Sequence, residues 1–224
     1  MKNRFEKDLR DYNDKLVMLN ACNETLRLVM AFEFKKIYKK DLKVIELGCG
    51  EGFSIKPLLE NTDSNFDLLD ASKEMIASNK KNLKKFSNRL NYICEDALDY
   101  LKKSNTYNVV LSSWTIHNFD KKDRLELFKE IYNKLSKNGY FILMDKVYPD
   151  SEKTAKSLLD LQLKRYKYLP NQVCKDITEH EIEDFSKDFR ISQSNLIKTL
   201  KLIGFKDLTI VDRVERDIVL VAKK

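Results

Sequence analysis

Strand-like and helix-like patterns alternate along this 224-residue chain, and the alternation predicts an α/β fold on a mostly parallel sheet. Three observations carry that expectation. Short apolar, β-branched runs recur at 43–47, 65–70, 91–95, 107–112 and 140–144, with helical periodicity between them. The first run leads into a turn with glycine at every second position, Gly48, Gly50 and Gly52. The chain closes on two apolar runs, 208–211 and 218–221, flanking Val-Glu-Arg-Asp, which reads as an antiparallel hairpin.

The elements follow in order. Leu9, Leu16, Leu19, Leu26, Met30 and Phe34 keep helical spacing through residues 1–40, predicting one or two helices before the first strand. After the glycine turn, Pro57 opens a helix over about 54–60. Ser72 caps a helix over 73–86. Asp120 and Asp123 open another, whose Leu125, Phe128, Ile131, Tyr132 and Leu135 fall on one face, and Asn138-Gly139 is expected to end it. Residues 150–190 break the alternation as a polar, helical insert in which Thr178 and Glu181 read as a capping box. Ser192 caps the last helix and Gly204 ends it.

Composition sets the outer bounds. The length suits one domain, 1–224, with its own core. No apolar run is long enough for a membrane span, and the N-terminal residues lack a secretory apolar stretch, so a cytoplasmic protein is expected. The cysteines at 22, 49, 94 and 174 form no C-x-x-C, and there are only two histidines, so no metal site is expected. The net charge of +7 invites a nucleic-acid partner, but the lysines are spread along the chain and form no basic block. A small-molecule partner is the first expectation and nucleic acid the second. Whether the N-terminal helices build a homodimer stays open.

Residues 46–52 read E-x-G-x-G-x-G between a strand and a helix start, where backbone N–H groups can approach a ligand closely. The dinucleotide pattern G-x-G-x-x-G fails at Phe53, and the Walker pattern is absent. Asp70 stands 22 residues after Gly48 at the tip of the second strand, where a carboxylate can accept from both ribose hydroxyls. It opens Asp70-Ala71-Ser72-Lys73-Glu74-Met75.

These strings resemble class I S-adenosylmethionine (SAM)-dependent methyltransferases, in the small-molecule and tRNA-modification branches. The resemblance is strong over about 40–148 and architectural over 190–224. It implies a Rossmann-like, doubly wound, seven-stranded sheet with an antiparallel last strand, N-terminal helices, and a helical lid at 150–190. It implies SAM as cofactor, held by Glu46, Gly48, Cys49, Gly50, Asp70, Ala71, Met75, Asp96, Ala97 and Ser112. Asp96 would meet the adenine amino group, and the Ser112 carbonyl the methionine ammonium. Tyr12 would reach the methyl end, although Tyr-Asn stands where relatives have Tyr-Asp.

Ser113-Trp114-Thr115-Ile116-His117-Asn118-Phe119 resembles the family's S-x-x-x-I-H-H-L string, with Asn118 in place of the second histidine. His117 reads either as a general base near the methyl group or as a residue packing the next helix. His180, in the insert, reads as a second catalytic candidate or a surface histidine, and Trp114 and Tyr166 as substrate-contacting. The expected activity is in-line methyl transfer to an N or O atom of a small molecule. A tRNA-modifying enzyme and a non-catalytic SAM-binding protein are the alternatives.

Overall fold

The computed structural model describes residues 22–224, and within them the expected α/β architecture is present. Seven strands form one sheet in the order β3-β2-β1-β4-β5-β7-β6. They are β1 (Val44–Leu47), β2 (Phe66–Asp70), β3 (Leu90–Cys94), β4 (Tyr107–Ser113), β5 (Leu135–Lys146), β6 (Lys206–Val214) and β7 (Asp217–Lys223). The first five pair in parallel; β7 inserts antiparallel between β5 and β6. The helices are α1 (Cys22–Ile37), α2 (Lys56–Asn61), α3 (Lys73–Asn82), α4 (Ala97–Lys103), α5 (Lys121–Lys134), α6 (Glu152–Tyr166), α7 (Asn171–Asp184) and α8 (Gln193–Ile203).

Side-chain alternation along the strands divides the core in two. Ile45, Leu47, Val110, Phe141, Leu143 and Leu220 face α4, α5 and α8. Val44, Phe66, Leu68, Val109, Ile142 and Val219 face α1, α2 and α3. The near-continuous burial of strands such as β4 follows from this, since both faces are covered. The helices of the insert, α6 and α7, add a small cluster of their own around Tyr166, Leu169 and Ile177.

Several local expectations hold. The Ser72 hydroxyl accepts from the Met75 amide at 3.2 Å, and Asp120 accepts from the amides of Lys122 and Asp123. Gly204 ends α8 at φ 122°. Others need correction. Asn138-Gly139 does not end a helix: α5 stops at Lys134, and these residues lie in an irregularity of β5, between Leu135 paired with Tyr107 and Tyr140 paired with Val109. Thr178 and Glu181 are no capping box, because α7 already begins at Asn171, after Pro170. Ser192 occupies the cap position of α8 but makes no capping hydrogen bond. Tyr12 lies outside the described residues, as does most of the expected N-terminal helical region.

Candidate functional site

The C-terminal ends of β1, β2, β3, β4 and β5 share one edge of the sheet, where ligands of open α/β folds bind. Here the ladder continues into the loops: Cys49 donates to the Leu69 carbonyl (2.9 Å) and Trp114 to the Met144 carbonyl (2.7 Å). The glycine turn is thus tied to β2 as well as to its own strand.

Two glycines in it serve different needs. Gly48 has φ +69°, and a Cβ there would lie 2.1 Å from Thr115 Oγ1, so its hydrogen is required by packing. Gly50 has φ +47°, and a Cβ there would meet nothing within 4 Å. It faces open space, which is where a ligand can approach the backbone. Cys49, between them, is buried with its thiol pushed well above the usual range by burial, and contributes backbone only. Asn79, fully buried on α3, donates to the Gly50 carbonyl at 3.0 Å and braces the turn from below. Nothing in the sequence pattern singled it out.

Asp70 stands at the tip of β2 as expected, but its carboxylate has structural duties. Oδ2 accepts from the Gly50 amide and Oδ1 from the Ser72 amide, both at 2.9 Å. Each oxygen retains a second acceptor position for a ligand hydroxyl. Burial raises its pKa against these two hydrogen bonds. Ala71 is exposed and Met75 half-buried beside it. Asp96 is the N-cap of α4, with Oδ1 accepting from Leu98 (2.9 Å) and Asp99 (3.3 Å); the buried Ala97 starts that helix.

Ser112 is not the strand tip. It is fully buried and paired with Leu47 and Leu143, and β4 runs one residue further to Ser113. Ser113 Oγ donates to Glu46 Oε1 at 3.2 Å, while Glu46 Oε2 is buried with no hydrogen-bond partner among the described residues. Burial pushes the Glu46 carboxyl up to about 8. An orphaned acceptor beside an open glycine turn fits a cationic amino-acid tail, and Asp70 fits a diol; SAM carries both.

The second half of the site surrounds His117. Its Nδ1 lies 2.5 Å from Asp145 Oδ1, and its backbone amide donates to Asp145 Oδ2 at 3.2 Å. A carboxylate at Nδ1 holds the proton there and leaves Nε2 as the acceptor. His180 reaches the same place from α7, its ring 6.4 Å from that of His117. Both predicted histidines therefore converge. Trp114 donates from Nε1 to Asp217 Oδ1 at 2.9 Å, and the Arg27 guanidinium lies over both the Trp114 and Phe53 rings, at 5.4 and 5.6 Å. Tyr166 does not line an open pocket: it is 1% exposed, and its hydroxyl donates to Glu181 Oε1 at 3.0 Å.

Glu181 ties the insert helix α7 to the sheet. Lys146 Nζ lies 2.7 Å from both Glu181 Oε1 and Asp184 Oδ2, and Arg216 donates to Glu181 Oε2 and, at 2.7 Å, to the Tyr148 hydroxyl. Burial opposes the charges, but Arg216 and Lys146 outweigh it and hold the Glu181 carboxyl well below its usual range. Asp145, Lys146, Arg216 and Arg27 were all missed by sequence reasoning. A signal existed for two of them, since Asp145-Lys146 directly follows the apolar 141–144 run at a strand exit.

Sheet order, glycine turn and acid-tipped second strand are those of the class I methyltransferase fold. Residues 44–139 match the family model described as "Methyltransferase domain". Among curated proteins the chain is similar to carboxy-S-adenosyl-L-methionine synthases. That of Campylobacter concisus is 30% identical over 128 residues, covering 56% of this chain and 53% of the relative. That of Nautilia profundicola is 25% identical over 174 residues, covering 76% and 72%. The chain thus spans about half the length of the first of these relatives. Among solved structures, the fold is shared with human N-acetylserotonin methyltransferase in complex with SAM (TM-score 0.65, 13% identity, 93% of this chain and 54% of that one). It is shared also with the CurJ carbon methyltransferase (TM-score 0.68, 12% identity, 91% and 55%).

Proposed function

We propose that this protein transfers the methyl group of SAM to an N or O atom of a small molecule, with His117 as general base. The observation that carries this reading is the buried His117–Asp145 pair at the sheet edge that also holds the glycine turn. SAM, when bound, supplies a methyl group already activated by its sulfonium. The chain's own residues orient and shield. Gly48 and Gly50 present backbone, Asp70 and Glu46 supply acceptors, and Trp114 is fixed by Asp217. His117 Nε2 accepts the proton of the acceptor's hydroxyl or amine, and Asp145 stabilises the imidazolium that results. The lid, anchored by Glu181 and Lys146, excludes water.

A second reading has one observation in its favour. The curated relatives are named as makers of carboxy-SAM, and a carboxylate needs a cation. Arg27 is 5% exposed and pairs with Glu24 through one guanidinium nitrogen, while its Nε is buried without a hydrogen-bond partner among the described residues. In this reading the protein modifies SAM itself rather than a separate acceptor.

Incubating the protein with methyl-labelled SAM and a fractionated cell extract tests both. Label in a small-molecule fraction, lost in His117→Ala, supports the first. Conversion of SAM to a heavier SAM derivative, read by mass spectrometry, supports the second. Label only in RNA would favour a tRNA-modifying enzyme, and SAM binding without any product a non-catalytic binder.

A further inference from the structure

The chain has two histidines, and the fold directs both at one carboxylate. His180 Nε2 lies 3.4 Å from Asp184 Oδ2, and His117 Nε2 lies 3.7 Å from the same oxygen. One ligand-capable atom from each of the three residues lies within 4.8 Å of the others. His180 and Asp184 are one turn apart on α7, whereas His117 comes from the short turn after β4. The cluster therefore bridges the lid and the sheet edge. In a tetrahedral zinc site with metal–nitrogen bonds of about 2.05 Å, ligand atoms stand about 3.3 Å apart. The two histidine-to-Asp184 spacings, 3.4 and 3.7 Å, are close to this, and the two imidazoles, within 4.8 Å, draw together to complete it.

An independent observation concerns the other side of the His117 ring. Asp145, fully buried, sits 2.5 Å from Nδ1. A carboxylate on the far nitrogen is the support that metal-ligating histidines use, because it fixes the tautomer and aims the remaining lone pair.

We propose that His117, His180 and Asp184 bind one divalent transition-metal ion of the zinc class, with Asp145 as the positioning residue for His117. Two imidazoles and a carboxylate are a borderline-soft donor set that suits such an ion and leaves a coordination position open. Lys146 keeps Glu181 as its partner when Asp184 turns to the ion. Spacing along the chain gave no hint of this site, because its two arms lie 63 residues apart. The ion and a proton compete for His117 Nε2, so an occupied site pins the lid and withholds the base. Binding itself does not depend on the reaction proposed above.

The test titrates metal-free, full-length protein with Co2+ and then Zn2+, followed by visible absorption and calorimetry. One equivalent of Co2+ is expected, with the visible bands of a nitrogen- and oxygen-bound ion, displaced by Zn2+. His180→Ala is expected to weaken binding at least tenfold, and Asp145→Asn about 10–100-fold. Three results would overturn the proposal: no stoichiometric binding to wild type, binding unchanged in His180→Ala, or an intense thiolate-to-cobalt band placing the ion on a cysteine. The wild-type spectrum decides the matter even if His180→Ala fails to fold. A failure of the methyl-transfer reading shows separately, as no label transfer by metal-free protein.

Discussion

The Gly50 amide donates to Asp70 Oδ2 at 2.9 Å, so the residue expected to hold the ribose also holds the turn that faces the ligand. Asp70→Ala therefore loses two things at once. SAM affinity is expected to fall about 10–150-fold, the equivalent of one charge-assisted hydrogen bond of about 1.5–3 kcal/mol. Freeing the Gly50 and Ser72 amides also lowers the melting temperature. Calorimetry and thermal unfolding read the two effects separately; unchanged affinity would refute the assignment of Asp70.

Gly48 and Gly50 should respond to alanine in opposite ways. Gly48→Ala adds a Cβ 2.1 Å from Thr115 on a left-handed backbone and should destabilise the fold by more than the roughly 1–2 kcal/mol of the conformation alone. Gly50→Ala meets no neighbour within 4 Å. Only the conformational cost of about 1–2 kcal/mol applies to its fold, while SAM binding should be lost, because the methyl group enters the ligand's space. Urea denaturation and SAM titration of both variants check this contrast.

Glu46 predicts a pH effect of defined sign. Its folded pKa, about 8, lies above the ordinary 4.5 because of burial. The stability it contributes is fully present below about pH 4.5 and is lost as pH rises through 8. The loss is on the order of 5 kcal/mol at about 1.4 kcal/mol per unit. Glu46→Gln should flatten this slope in denaturation curves across that window. A cationic ligand beside Glu46 lowers its pKa, so SAM binding near pH 7 should release a proton. Binding enthalpies measured in buffers of different ionisation heat would show it.

Glu181→Gln leaves Lys146 and Arg216 facing a neutral side chain inside the lid interface. Breaking a buried ion pair by removing one partner costs about 3–5 kcal/mol. Limited proteolysis should then cut α7 faster than the sheet domain. Equal protection in variant and wild type would show that the network does not hold the lid.

The parts of this molecule governed by local rules were legible in its sequence. Ser72 and Asp120 act at helix ends through their side-chain oxygens and Gly204 through its positive φ, and β-branched runs such as 107–112 became central strands. The E-x-G-x-G-x-G string placed half of the site. Asn138-Gly139 misled because the helix-stop signal also suits a bulged strand. Thr178 and Glu181 misled because capping spacing also occurs inside helices, where Glu181 serves a buried ion pair. The partners of His117 and Glu181 were hidden for a different reason. Asp145 and Lys146 come from β5 and Arg216 from the β6–β7 turn. Only the sheet order, which sets β7 beside β5, brings them to one place.

The central claim is that the glycine turn, Asp70 and Glu46 form a SAM site. Calorimetric titration of SAM into the wild-type protein tests it most directly. The account predicts one saturable site per chain, with proton release near pH 7 and binding lost in Gly50→Ala. Absence of saturable binding, or full affinity in Gly50→Ala, would contradict it.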